Sequence, residues 1–163
     1  MSPTFYKFLG IGLVVVAIVI GFTLIGTRGS HLELTGKILK VRTLGPDAAN
    51  SIAIIDFRFE NPSNYPFVVR TISVTLTGAD GKEYEGQVIS EPDMRTIFAG
   101  YPLLGQMYNE TLKPRARISP RSGMDRTVGA SFEAPESVLA GRRNLRIRVE
   151  DVDGPVSMIN EHS

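Results

Sequence analysis

The sequence has no cysteine and no tryptophan, and two of its 163 residues are histidine. Without cysteine the chain can form no disulfide bond, thiolate metal site or iron–sulfur cluster, and no cysteine can carry a lipid. The formal net charge is +1, whereas a dedicated nucleic-acid-binding domain usually has a strong basic excess. We therefore expect no nucleic-acid partner.

Motifs that hold nucleotides or activated nucleophiles are missing too. The chain has no Gly-x-x-x-x-Gly-Lys-Ser/Thr, no Gly-x-Gly-x-x-Gly and no Gly-x-Ser-x-Gly. His31 follows the long apolar run described below and His162 is the penultimate residue, so neither is expected in the shielded, oriented setting of a catalytic base. We expect no cofactor, no metal and no enzymatic activity.

Two pairs of carboxylates leave a hydrolase open as an alternative. Glu91 and Asp93 stand at a predicted helix start, and Glu83 and Glu85 share one face of a predicted strand. Two carboxylates can act together in glycoside hydrolysis. However, the helix dipole explains the first pair more simply, and a solvated strand face explains the second.

One long apolar run stands near the beginning of the chain. From Phe8 to Ile25, 18 residues carry no charge, and as a helix they span about 27 Å, close to the roughly 30 Å hydrocarbon core of a bilayer. A cleavable signal peptide usually has a shorter apolar region before an Ala-x-Ala-like site, and no such site follows here. The run predicts a transmembrane helix over residues 8–26. Its anchor residues are Phe8, Leu13, Val16, Ile20 and Ile25.

The orientation of this helix is expected to be that of a signal anchor. Lys7 precedes the run, but Arg28, Lys37, Lys40 and Arg42 follow it, so a count of positive charges does not favour a cytoplasmic N-terminus. Long domains translocate largely regardless of charge. We expect a single-pass membrane protein with a cytoplasmic stub over residues 1–7 and a linker over 27–31. The domain after the linker is expected to be periplasmic or extracellular.

Beyond the linker, short alternating runs separated by turn residues are typical of an all-β protein. In residues 52–60, Ile55, Phe57 and Phe59 are expected to face the core, while Asp56 faces solvent. About seven strands in roughly 130 residues match an immunoglobulin-like antiparallel β-sandwich. We expect it over residues 32–152, followed by a polar tail over 153–163. Further expected core residues are Val68, Ile72, Val74, Leu76, Val128, Ala130, Phe132, Leu145, Ile147 and Val149.

A short helical insertion interrupts the strands. Ser90 is expected to cap a helix, with Asp93 three residues on. The apolar stretch after this helix contains Pro102 and Gly105, which oppose a regular helix or a central strand. Because aromatic and methionine residues are enriched at interface cores, we expect segment 97–108 to form a surface that contacts a protein partner. The alternative is that the segment folds back as a lid over the sandwich. The expected contact residues are Phe98, Tyr101, Leu103, Leu104, Met107 and Tyr108.

Basic residues are concentrated in the last third of the chain. Between Lys113 and Glu150 there are nine arginine or lysine residues and four acids. Such charges often serve solubility alone. The alternative is a basic face turned towards anionic lipid or an acidic partner. The residues expected on this face are Arg115, Arg117, Arg146 and Arg148.

The run from Ile54 to Phe67, IIDFRFENPSNYPF, resembles the strand, Asn-Pro and apolar strand signature of late-embryogenesis-abundant type 2 (water-stress/hypersensitive-response) domains. Residues 80–85, 118–123 and 132–135 are similar to bacterial immunoglobulin-like domains of unknown function that stand behind a membrane anchor. The resemblance covers residues 33–150. It implies a sandwich with a binding, protective or structural role, and it supplies no catalytic residues.

Together these features predict a membrane-tethered, non-enzymatic binding or assembly module of the cell envelope. A lipid or small-ligand carrier is the first alternative, with segment 97–108 gating a cavity between the sheets. A large apolar cavity beneath the insertion would favour the carrier, and convergent carboxylates in a cleft would favour the hydrolase.

Overall fold

The computed structural model describes residues 33–161, together with Gly12, Val16, Ile18 and Ile20. The chain divides into two compact units, residues 1–31 and residues 32–163.

In the first unit, the four described residues are helical and exposed. The rest of the predicted transmembrane helix over residues 8–26, with the anchor residues Phe8, Leu13 and Ile25, lies outside the described residues. Among the residues that the structure describes, no helix is long and apolar enough to cross a membrane.

Within residues 33–161 the chain forms eight strands and three short helices. The strands are β1 (Thr35–Leu44), β2 (Ser51–Asn61), β3 (Phe67–Thr77), β4 (Glu83–Ile89), β5 (Arg117–Ile118), β6 (Ser122–Phe132), β7 (Asn144–Asp151) and β8 (Val156–Asn160). The helices are α1 (Glu91–Gly100), a 3-10 helix (Pro102–Leu104) and α2 (Glu136–Ala140).

The strands are antiparallel and run in the order β1-β2-β6-β4-β3-β7-β8, with β5 beside β3. Strand β4 joins two layers, because residues 83–86 pair with β3 and residues 87–89 pair with β6. At the opposite edges, the N–H of Leu34 before β1 donates to Ser157 Oγ in β8 at 2.7 Å. The result is a nearly closed antiparallel β-sandwich, which confirms the predicted all-β sandwich with short helices.

The core lies between the two layers, and the predicted inward faces of β2, β6 and β7 are confirmed. In β3 the prediction holds for Ile72, Val74 and Leu76 but is wrong for Val68, since Val69 is buried in its place. The register of β3 against β7 shifts between Val69 and Thr71. An extra residue in one strand exchanges its two faces, so the inward side changes from odd to even residue numbers at this bulge.

The predicted polar tail over residues 153–163 is wrong where it overlaps β8. Gly154 has a φ of +102°, a conformation that glycine adopts without steric cost. The chain therefore reverses after β7, and β8 pairs with β7. Because Ser157 and Ile159 are buried, the sandwich extends beyond the predicted boundary at residue 152.

A second, smaller apolar cluster lies outside the β1-β2-β6 layer, where α1 packs on the strands. It contains Ile54, Met94 and Leu104. Ile54 in β2 stands opposite Gly129 in β6, and a Cβ at Gly129 would collide with Met94 Sδ. The glycine therefore lets α1 approach closely. Ser90 caps α1 as predicted, since its Oγ accepts the N–H of Asp93.

We expect Phe57→Ala to lower the free energy of unfolding by about 3–5 kcal/mol, the range for an aromatic side chain removed from a core. Phe57 is fully buried, and its ring centroid lies 5.6 Å from that of Phe59. The measurement is urea unfolding of the full chain in detergent, followed by circular dichroism. Tyr65→Ala is the control because Tyr65 is exposed, and it should cost less than about 0.5 kcal/mol. Similar losses for the two variants would contradict the inward face of β2.

Candidate functional site

The guanidinium of Arg42 is buried between the sandwich and the helical insertion. Its Nη2 donates to Asp56 Oδ2 at 2.7 Å. Arg42 is 8% exposed and Asp56 is 5% exposed. Arg42 stands opposite Ile54 in the β1–β2 register, so Asp56 is its diagonal neighbour on the same face of the layer. The two strands thus place an ion pair beneath the insertion.

Arg42 also binds the insertion itself. Its Nη1 donates to the carbonyl oxygens of Leu104 and Gln106, both at 2.8 Å. Its Cζ lies 5.0 Å from the ring centroid of Phe98 and 5.9 Å from that of Tyr108, distances at which a cation is attracted to an aromatic ring. Arginine suits this position because its planar group offers five donors in a fixed geometry. One side chain therefore contacts both ends of the segment from Phe98 to Tyr108.

The second oxygen of Asp56 has partners of its own. Oδ1 accepts a hydrogen bond from Thr127 Oγ1 and another from Asn109 Nδ2 at 3.4 Å. The carboxylate is therefore surrounded by donors from β1, β6 and the segment after the insertion. Breaking such a pair by removing one partner leaves a buried charge without compensation, which is strongly destabilising.

The structure divides the predicted contact segment into an inward and an outward set. Leu104 is 6% exposed and packs in the cluster with Ile54 and Met94, so the prediction that it contacts a partner is corrected. Phe98 and Met107 are half-buried. In contrast, Leu103 is 104% exposed and Tyr108 is 70% exposed, and Tyr101 is also exposed. We call Tyr101, Leu103 and Tyr108 the apolar tip.

Of the four arginines predicted as a basic face, three lie on strands that pair with β3, and Arg115 lies in the turn before β5. Arg146 and Arg148 share one face of β7. Arg148 Nη1 donates to Glu150 at 3.0 Å, which partly neutralises its charge, and Arg146 Nε donates to Asn160 at 3.2 Å. Arg117 in β5 and Arg115 just before it are exposed. Within residues 33–161, the side chains of these last two form no ion pair. Uncompensated basic charge thus lies at β5.

The carboxylates considered for hydrolysis take structural or exposed positions. Glu91 accepts hydrogen bonds from Lys113 and Arg95, and these bonds hold the pKa of its carboxyl below the usual range. Asp93 accepts the hydroxyl of Ser90 at 2.6 Å. A glutamate kept charged in this way is a poor general acid, because efficient acids have a pKa near the working pH.

The other carboxylate pair, Glu83 and Glu85, is exposed at a solvent-open cavity of about 460 Å³. This setting lacks the shielding that usually accompanies acid–base catalysis. Among the described residues, no group of three or more His, Asp or Glu side chains could hold a metal ion.

The Arg42–Asp56 pair is the feature that sequence reasoning missed. The alternation of β2 predicts Asp56 on the solvent side, and the sequence marks Arg42 only as one of the positive charges after the apolar run. A signal was nevertheless present. Ile52 and Ile54 lie on the same side as Asp56, so β2 is apolar on both faces near its start. A strand of that kind indicates a covering layer on its second face.

No family model matches the chain, and no curated protein matches its sequence. Among solved structures, it is similar to an uncharacterised β-sandwich protein from Clostridium difficile 630, with 13% identity, 78% of this chain and 85% of that chain covered, and a TM-score of 0.40.

The chain is also similar to the archaellum periplasmic stator protein FlaG from Sulfolobus acidocaldarius, with 12% identity and a TM-score of 0.34. The match covers 78% of this chain and 98% of that chain. A chain of the FlaF and FlaG stator complex of that organism is 11% identical, with 77% of this chain and 86% of that chain covered. Its TM-score is 0.33. TM-scores this low assign no function. The resemblance to late-embryogenesis-abundant type 2 domains stays a prediction.

We expect Asp56→Ala to lower the free energy of unfolding by about 3–5 kcal/mol, because Arg42 would remain buried without its counter-charge. Urea unfolding followed by circular dichroism measures the loss. The matched control is Asp125→Ala, which removes the exposed ion pair with Arg58 and should cost far less, because exposed ion pairs contribute little to stability. If both variants lost the same small amount, the pair under the insertion would be solvated rather than buried.

Proposed function

We propose that the protein is a membrane-tethered, non-enzymatic binding or assembly module of the cell envelope, and that the apolar tip contacts its protein partner. The observation that carries the proposal is the full exposure of Leu103 beside Tyr101 and Tyr108. A single exposed leucine is ordinary on a protein surface. Three large exposed side chains within eight residues make this segment a candidate for the kind of patch that marks interaction sites.

The tip is supported by hydrogen bonds immediately behind it. Leu104 N–H donates to the Tyr101 carbonyl at 3.0 Å, and Gly105 N–H donates to the Pro102 carbonyl at 2.9 Å. Arg42 binds the carbonyl of Leu104 from below. Because a pre-ordered contact loses less conformational entropy on binding, a fixed tip favours recognition of a protein surface over a merely solvated loop.

The sandwich itself is proposed to be immunoglobulin-like, as its two antiparallel layers and its size support. The uncharged run over residues 8–25 supports a single-pass signal anchor, with the sandwich on the periplasmic or extracellular side. A carrier gated by segment 97–108 is less well supported, because Leu104 and Met94 fill the space between the insertion and β2.

To test the tip, we expect Leu103→Asp to leave the free energy of unfolding within about 0.5 kcal/mol of the original protein. Recovery of the partner with the full chain from mild detergent, quantified by mass spectrometry, should fall by about tenfold or more, as for a central interface residue. Met158→Asp is the matched control, since Met158 is an exposed apolar residue on β8. Unchanged recovery of the partner with Leu103→Asp would show that the apolar tip is not part of the interface.

A second variant, at the neighbouring residue, distinguishes a role in partner binding from a role in the stability of the fold. Leu104→Ser should lower the melting temperature strongly, because Leu104 belongs to the cluster beneath the insertion, and it should lose the partner only together with the fold. Leu103→Asp should lose the partner with the melting temperature preserved.

The anchor is tested by alkaline carbonate extraction of membranes that contain the full chain. We expect the chain to stay in the pellet, because a helix of about 18 apolar residues is long enough to remain in the bilayer. Recovery in the supernatant, or a mature N-terminus near residue 27, would contradict the anchor.

A further inference from the structure

A groove opens in the wall of the sandwich where β4 leaves β3. The β3–β4 pairing ends at Val74 and Gly86, after which β4 pairs with β6. Farther along, residues 110–116 cross from β6 to β3: Leu112 N–H donates to the Thr127 carbonyl, and Arg115 N–H donates to the Val69 carbonyl. Between β4 and this crossing segment lies a cavity of about 530 Å³.

The groove is apolar at its base. Ile72 and Leu112 belong to the main core, and Ile89 packs against the second cluster. Val88 forms part of the wall and is partly exposed. The groove therefore gives access to apolar side chains of the core. In the rest of the sandwich the two layers cover such side chains. Its volume lies within the range of small-molecule sites, which are mostly apolar with a few polar groups that orient the ligand.

One polar residue in the lining of the groove is Thr111, and its hydroxyl is buried. Thr111 is 6% exposed, and its Oγ1 has no hydrogen-bond partner among the described residues. Buried hydroxyls are usually hydrogen-bonded, because a missing bond is costly. A polar atom of a ligand seated beside Leu112 would satisfy it.

The rim carries an excess of positive charge. Its lining includes two cations, Arg70 and Lys113, and one carboxylate, Glu91. Glu91 is already bound to Lys113 and to Arg95. Arg70 lies 3.7 Å from Glu150, which also binds Arg148. Arg115, one residue beyond the lining, is exposed and adds a further positive charge. An anionic group at the rim would therefore meet net positive charge at close range.

We propose that this groove binds a single-chain amphiphile with an anionic head group. The alkyl chain lies over Ile72, Val88 and Ile89, and the head group lies against Lys113 and Arg70 within reach of the Thr111 hydroxyl. A cationic amphiphile is repelled by the net positive charge of the rim, and a purely apolar molecule gains nothing from that charge. The head group is a carboxylate, as in a fatty acid, or a phosphate, as in a lysophospholipid. This site is distinct from the apolar tip and does not depend on the function proposed for it.

The test uses the full chain in dodecyl maltoside, a detergent without charge, and a palmitate analogue with a diazirine in its chain. After illumination, peptide mass spectrometry locates the cross-links. We expect adducts on the residues that line the groove, and we expect palmitate or an anionic lysophospholipid to abolish them. Whichever competitor acts at the lower concentration identifies the head group. Hexadecyltrimethylammonium, with a chain of similar length, should not compete.

Two pairs of variants make the test specific. Val88→Glu should reduce labelling by about tenfold, whereas Val152→Glu, at an exposed valine outside the groove, should not. Lys113→Gln should reduce labelling by a similar factor, whereas Lys40→Gln, at an exposed lysine of β1, should not. Thr111→Val should weaken labelling without lowering the melting temperature, because it removes a hydroxyl that has no partner among residues 33–161.

Three outcomes would overturn the proposal. They are adducts spread evenly over the sandwich, adducts confined to residues 8–25, and equal competition by the cationic amphiphile. Should Val88→Glu fail to fold, the Lys113→Gln and Lys40→Gln pair decides between a specific site and general apolar adsorption.

Discussion

The buried ion pair between Arg42 and Asp56 determines where the helical insertion lies on the sandwich. Removing two charges from water is costly, and buried pairs often add little net stability over apolar side chains of the same size. Here the cost is offset by the carbonyls of Leu104 and Gln106 and by donors from Thr127 and Asn109. Beyond stability, the pair fixes the positions of its partners relative to one another, because a planar guanidinium can bind them in few arrangements.

That geometry explains why two adjacent leucines have opposite environments. The 3-10 helix spans three residues, and Arg42 binds the carbonyl of its last one. With this carbonyl held, the side chain of Leu104 fills the cluster with Ile54 and Met94, and Leu103 points to solvent. The composition of the segment could not separate a lid from an exposed patch, and the structure contains both: an inward leucine that completes the packing and an outward leucine that is available for contact.

The sequence was most informative where structure is local. Alternation with a period of two predicted the inward faces of β2, β6 and β7, because side chains of a regular strand must alternate. It failed at the bulge of β3, where one extra residue exchanges the faces, and at β8, where a turn at Gly154 returns a run of five residues to the sheet. These features depend on the neighbouring strand rather than on the run itself.

The candidate sites were harder to predict for the same reason. Arg42 meets partners that lie 14, 62 and 64 residues away in sequence, and the groove combines residues from β3, β4, the start of α1 and the segment after the insertion. No local pattern records such combinations. The basic residues gave a partial signal: of the arginines predicted as one face, Arg115 lies next to the groove, while Arg148 is engaged by Glu150.

Helix α1 lies between the two proposed sites, and its packing bears on whether they influence each other. Its first residues line the groove, and the chain after its C-terminus forms the apolar tip. Met94 packs so closely on Gly129 that even a Cβ there would collide with it, and Arg42 binds beyond the other end. Close-packed contacts have few alternative arrangements. A helix held at both ends does not slide when the groove is filled, so the fold favours two sites that work independently over a ligand that switches the tip.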